Sequence, residues 1–211
     1  MAKIVLLSPP YVQDYMRNAR CDFVSLSHSS WYPIWLGEAG CYLESKGHKT
    51  LLLDAQVQGL SHQDTFERIK DFKPDIVAIY TGRLSEDNDI EFADKIVEQG
   101  YKSVFVGPYT SIDPIAILKK SRKAELAIKK EFELPLEELT SGADPAKTPN
   151  VYLKDLKSKE ITSTECRPLL QAELLDKFPL TTEYFHRQLQ ISDYKTPSEL
   201  YPFIDVMSGR G

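Results

Sequence analysis

The chain has 211 residues, 42% hydrophobic and 27% charged, with a formal net charge of −5. That is an ordinary globular balance, long enough for one domain and part of a second. It argues against a nucleic-acid scaffold, whose basic patch would raise the charge.

The first element, Lys3 to Leu7, is a continuous apolar run, and the start Met1-Ala2-Lys3 leads straight into it rather than into a signal peptide. A loop of about 20 residues follows, from Pro9 to Ser30, uncommon inside a compact unit unless functional. Tyr11, Tyr15, Phe23, Trp31 and Tyr32 crowd into this region. They suit either a lid over a large flat ligand or packing against the C-terminal part of the chain. The hydroxyl-rich cluster Ser25, Ser27, His28, Ser29 and Ser30 has no GxSxG elbow and reads as polar turn residues.

Next come a helix at Trp35 to Ser45, a strand at Thr50 to Leu53 and a helix at Gln63 to Phe72. A strand at Asp75 to Tyr80, a helix at Asn88 to Gln99 and a strand at Lys102 to Val106 follow. A helix at Asp113 to Lys120 and a strand at Ala124 to Ile128 complete the series. Gly37 and Gly40 fall inside the first helix, where they allow close packing, and Gly47 and Gly100 stand at helix C-caps. The strands are continuous apolar runs, as expected of strands covered on both faces. Strict alternation with helices predicts a doubly wound, flavodoxin- or Rossmann-like five-stranded parallel sheet over residues 1–141.

Residues 142–165 read as a linker and a small hairpin, Val151 to Asp155 against Glu160 to Ser163. Residues 166–211 are proline-rich, with short helical pieces near Gln171 to Phe178 and Thr181 to Gln188. They read as a connector that packs onto something else. Phe203 to Met207 reads as a buried strand, broken by Ser208-Gly209-Arg210-Gly211.

No apolar run reaches the roughly 18 residues of a membrane span. Cys21, Cys41 and Cys166 lack metal-ligand spacing and suit a reducing cytosol; His48, His62 and His186 read as isolated surface residues.

In an open α/β sheet, ligands bind beyond the carboxyl ends of the strands, where strand order reverses. The residues standing there are Ser8-Pro9-Pro10-Tyr11, Asp54, Thr81-Gly82-Arg83-Leu84, Gly107-Pro108-Tyr109-Thr110-Ser111 and Lys129-Lys130-Glu131. Two prolines replace the glycine loop of a dinucleotide site, and without that loop Asp54 reads as a helix cap or a solvated acid. Ser8 and Thr81 stand where a phosphoacceptor domain needs acids.

Four blocks, KIVLLSPPY, SSWYPIWLGEAGCYLESKGHKTLLLDA, KPDIVAIYTGRLSED and VFVGPYTSIDP, resemble in order and spacing the N-terminal cobalamin-binding domain of cobalamin-dependent radical SAM proteins. EFELPLEELTSG is similar to that family's GExE segment and LKDLKSKEITS to the hairpin after it. The family's GGPH reads Val106-Gly107-Pro108-Tyr109 here, and its GExE reads Lys130-Glu131-Phe132-Glu133.

The resemblance implies cobalamin held base-off, with its nucleotide tail between the turns after the third and fourth strands. Thr81, Gly82, Gly107 and Thr110 would set that crevice; Ser8, Pro9, Pro10, Pro108, Tyr109 and Glu131 would join them. It also implies a His-off cobalt, because no DxHxxG histidine is offered, with Tyr11 and Arg83 candidates for the lower face by position. IDVMSGRG resembles the approach to a CxxxCxxC motif. A radical SAM barrel bearing a [4Fe–4S] cluster and S-adenosylmethionine is accordingly expected C-terminal to these residues in a longer cytoplasmic parent. That parent would catalyse methyl transfer or another radical reaction on a small-molecule or peptide substrate, while this chain alone contributes no catalytic residue. The residues also admit a binding domain of the same fold for another ligand or none. A nucleotide-sugar transferase is disfavoured by the missing phosphate loop and acidic metal pair.

Overall fold

The structure is a computed structural model describing residues 1–17, 22–207 and 209. Along the chain, β1 (Lys3–Ser8) leads into β2 (Tyr15–Arg17) and β3 (Asp22–Val24), then α1 (Ile34–Ser45), β4 (Lys49–Asp54), α2 (His62–Phe72), β5 (Ile76–Tyr80) and α3 (Glu86–Glu98). There follow β6 (Lys102–Val106), α4 (Pro108–Ile112), α5 (Pro114–Lys120), β7 (Leu126–Ile128) and α6 (Glu133–Thr140). The last elements are β8 (Val151–Lys154), β9 (Ile161–Ser163), α7 (Ala172–Leu175) and α8 (Thr181–Gln188).

The main sheet runs β4-β1-β5-β6-β7-β8-β9. The five expected strands are its parallel members, but the sheet has seven strands, not five. The hairpin expected to stand apart joins it, β8 pairing antiparallel with β7 through Ala127↔Tyr152 and β9 with β8 through Leu153↔Thr162. An unpaired β7 edge would leave a row of peptide groups open, and the hairpin covers it.

Period-two alternation distributes each strand's side chains between two cores. Ile4, Leu6, Ala78, Tyr80, Val104 and Val106 face one core, with α1, α6 and α8. Val5, Leu7, Val77, Ile79 and Phe105 face the other, with α2, α3 and α5. Both faces are thus covered, which is why the runs are continuously apolar.

The long loop after β1 is not irregular throughout, since β2 and β3 form an antiparallel hairpin. Cys21, within that hairpin's connection, lies outside the described residues, as do Ser208, Arg210 and Gly211.

The C-terminal part of the chain packs onto this domain. Tyr184, Phe185 and Tyr194 are buried in the core of α1. A Cβ at Gly37 or Gly40 would run into the rings of Phe185 and Tyr184, so these two glycines are what let α8 seat on α1. The expected strand at Phe203 to Met207 does not form. Its Phe203 carbonyl accepts a 2.8 Å bond from the Tyr32 hydroxyl and its ring meets Tyr32 edge-on, so burial proceeds without a ladder. His48, expected at the surface, is buried, and its Nδ1 accepts from the Ala2 N–H at 3.3 Å.

Candidate ligand cavity at the strand ends

The chain leaves β1 for β4 on one side and returns to β5 on the other, so the order reverses at β1. There the ends of β1, β4 and β5 and the first turn of α1 enclose a cavity of about 370 Å³. Its walls are mostly aromatic and aliphatic: Tyr15, Trp31, Tyr32, Trp35, Leu36, Val57 and Tyr80. Ser8, Arg17, Asp54 and Gln56 add polar groups, and Asp205 and Met207 close one side. Tyr32 is fixed by stacking on Tyr194 at 4.1 Å and by contact with Phe185 at 5.0 Å.

Asp54 is neither a cap nor solvated. It is buried, and its carboxylate accepts from the Tyr194 hydroxyl at 3.0 Å, with Ser8 and the Val57 N–H as further donors. Burial pushes its pKa from 3.8 up to about 6, against the opposing pull of Tyr194, Arg17 and Ser8. A carboxyl raised in the folded state favours folding when protonated, and that contribution is lost as pH rises towards 6. The displacement from 3.8 to about 6 amounts to about 3 kcal/mol, of which about 2 kcal/mol falls between pH 4 and pH 7. The stability margin of the unaltered chain over Asp54→Asn should shrink by that amount across those pH values, read from urea unfolding midpoints. A constant margin would show that Asp54 does not titrate this way.

The β2–β3 hairpin is held over this end of the sheet by buried polar groups. Arg17 reaches the carboxylate of Asp89 at 2.6 Å and Ser85 Oγ at 3.2 Å, and its guanidinium also donates to the Pro9 carbonyl at 2.5 Å. Tyr15 donates to Asp22 at 2.6 Å, and Asp22 accepts from the Leu84 N–H at 2.7 Å. Asp89 also accepts from the Gly82 N–H at 3.1 Å.

Of the residues the resemblance assigns to the site, only Ser8 lines the cavity, although Asp54 at its strand end and the aromatic loop residues Tyr15, Trp31 and Tyr32 line it too. The crevice expected between the turns after β5 and β6 is filled. Thr81 and Thr110 are both buried with their hydroxyls 2.6 Å apart, and Thr81 also donates to the Val106 carbonyl. Gly82 lies beneath the hairpin, where a Cβ would meet Tyr15, Asp22 and Ser85 within 2.8 Å. Pro9 and Pro10 are buried, their carbonyls taken by Arg17 and Asn88. Tyr11 packs edge-on to Tyr15 at 4.8 Å and donates to the Leu84 carbonyl.

Arg83 lies over the Tyr109 ring and donates to its hydroxyl, away from the cavity, and Pro108 opens α4. Glu131 accepts from the Leu170 N–H at 2.7 Å and so ties down the connector. Gly107 has φ +103°, a conformation side chains rarely adopt. A Cβ there would stand 3.1 Å from the Thr81 nitrogen and from the Tyr80 ring, so a substitution disturbs the cavity wall indirectly. His28 is bonded to Asp14 at 2.8 Å with its side chain 73% exposed, and the neighbouring serines form a hydroxyl chain within the same turn.

Sequence reasoning missed Arg17, Trp35, Gln56, Val57 and Tyr80. For Tyr80 a signal existed: it shares period-two parity with Ile76 and Ala78 and ends its strand, which aims it at the α1 side of the strand ends.

A scan against protein-family models finds no match, and a search of curated proteins finds no similar sequence. Solved structures do match in fold. The cobalamin-dependent S-adenosylmethionine radical enzyme OxsB, with aqua-cobalamin and S-adenosylmethionine bound, superposes with TM-score 0.64 at 16% identity over 80% of this chain and 23% of that one. The same enzyme with aqua-cobalamin bound gives 0.63 over the same shares, and its apo form 0.62 over 90% of this chain and 25% of that one. The chain thus shares the fold of part of OxsB and spans about a quarter of its length.

Proposed function

We propose that the chain is a cobalamin-binding module, with the nucleotide tail in the cavity at β1, β4 and β5 and the corrin ring outside, across the strand ends. The carrying observation is an aromatic-walled cavity at the switch point of a fold whose solved neighbours include cobalamin-bound enzymes.

The residues present fit the tail. At about 370 Å³ the cavity lies at the small end of ligand sites, roughly 300–1,000 Å³, enough for a flat heteroaromatic group and too little for a corrin. Trp35, Tyr32 and Tyr80 supply apolar ring surface and Ser8 a hydroxyl. A His-off cobalt is what the resemblance implies, since Ser8-Pro9-Pro10-Tyr11 stands after β1 where a DxHxxG histidine would be offered. Tyr11 and Arg83, at the same end of the sheet, remain candidates for the cobalt's lower face. Bound cobalamin supplies alkyl transfer or radical chemistry; this chain's residues bind and orient it.

The module would serve a radical SAM barrel carrying the cluster and S-adenosylmethionine in a longer parent protein, consistent with the quarter-length match to OxsB. The test is equilibrium binding of hydroxocobalamin to the full chain, with excess removed by gel filtration. One equivalent of cobalamin should co-elute with a shifted visible spectrum. Colourless protein would refute the reading.

A further inference from the structure

Four buried tyrosines, Tyr32, Tyr80, Tyr184 and Tyr194, belong to the α1-side core, and a fifth, Tyr15, lies in the hairpin. Four have satisfied hydroxyls. Tyr15 donates to Asp22, Tyr32 to the Phe203 carbonyl and Tyr194 to Asp54, while Tyr184 shares a bond with Thr50. Tyr80 is the exception. It is 5% exposed, lines the cavity, and its hydroxyl has no hydrogen-bond partner among the described residues. That hydroxyl opens onto the cavity, so a ligand acceptor placed there can take its hydrogen without displacing a protein partner.

The buried charged groups of the cavity are already engaged. Asp54 already accepts from Tyr194, Ser8 and Val57. Arg17 is taken up by Asp89, Ser85 and the Pro9 carbonyl. Burial raises the Tyr80 pKa well above the usual phenol value, so the group stays a protonated donor throughout the physiological range. Tyr80 therefore offers the cavity a free donor, which an acceptor on a flat, otherwise apolar ligand would match.

We propose that Tyr80 is the specificity-determining residue of the cavity, its hydroxyl donating to the ring nitrogen of the cobalamin base that is free when the base is off cobalt. This rests on the cobalamin reading above. A benzimidazole released from the metal presents one unsubstituted ring nitrogen with a lone pair and no N–H. It is an acceptor and cannot serve a carboxylate. The Tyr80 ring lies against Gly107, where even a Cβ would approach it to 3.1 Å, so backbone on that side holds its position.

The experiment compares Tyr80→Phe with the unaltered chain for hydroxocobalamin and for diaquocobinamide, which lacks the nucleotide tail. Expected is a roughly three- to tenfold loss of affinity for hydroxocobalamin, the scale of one neutral hydrogen bond. Diaquocobinamide binding should be unchanged, and the ligand-free Tm unchanged or raised. Equal losses for both ligands, no loss for either, or a lower ligand-free Tm would overturn the assignment. If the unaltered chain binds cobinamide as tightly as cobalamin, the tail is not in the cavity; this inference and that placement of the tail fall, while cobalamin binding itself stands. If it binds neither, the cobalamin reading falls, and the Tyr80 assignment with it.

Discussion

Phe185→Ala should destabilise the chain by about 3–5 kcal/mol, the range for truncating a buried phenylalanine, and loosen the C-terminal part as a unit. Phe185 is fully buried, its ring seated against the backbone of Gly37. No side chain at Gly37 can swing in to fill the space, so the cavity left behind cannot collapse and the upper part of the range applies. The ring also buttresses Tyr32, a wall of the ligand cavity, so hydroxocobalamin affinity should fall with stability. Urea denaturation measures the first effect and amide exchange locates the second. In the unaltered chain, amides around Tyr184, Phe185 and Leu189 should exchange slowly, while those in 166–180 and 195–202, which have few buried side chains, should exchange fast. In Phe185→Ala the slow set should join the fast one. A loss under 1 kcal/mol with protection retained would show that Tyr184 and Tyr194 alone hold the segment.

Arg17→Met should cost a similar amount, about 3–5 kcal/mol, because it strands a buried charge. Arg17 and Asp89 have side-chain exposures of 1% and 0% at 2.6 Å. Burial already pushes the Asp89 pKa up and Arg17 is the main opposing influence, so removing the guanidinium drives it further up. The variant should therefore lose stability as pH rises towards neutrality. The double variant Arg17→Met/Asp89→Leu should recover much of the loss, since it removes both charges. Far-UV circular dichroism with thermal melts of the two variants and the unaltered chain decides the matter; a single variant as stable as the unaltered chain would mean the pair is not dry.

Much of the scaffold was legible in the sequence. The five parallel strands announce themselves as short continuous apolar runs, because a strand covered on both faces has no polar side to show. Helix α8 was readable as Thr181 to Gln188, and Gly37 and Gly40 were readable as close-packing positions, although not their partners. The hairpin at 151–163 was readable as two strands; that it extends the sheet beside β7 was not.

The site was far less legible. Small and hydroxyl residues after β5 and β6 looked like ligand space, yet Thr81 and Thr110 satisfy one another and close it. Asp54 looked solvated because one strand-end acid resembles another until Tyr194, 140 residues away, is folded over it. Sequence alone determined what each segment must bury, since periodicity acts over a few neighbouring positions. Only the tertiary structure decided which segment supplies the burial. The strand order that opens a cavity at β1, the Arg17–Asp89 pair that pins the hairpin, and the unpartnered Tyr80 hydroxyl all depend on contacts between residues far apart in the chain. Such contacts form by spatial proximity, and no local pattern encodes it.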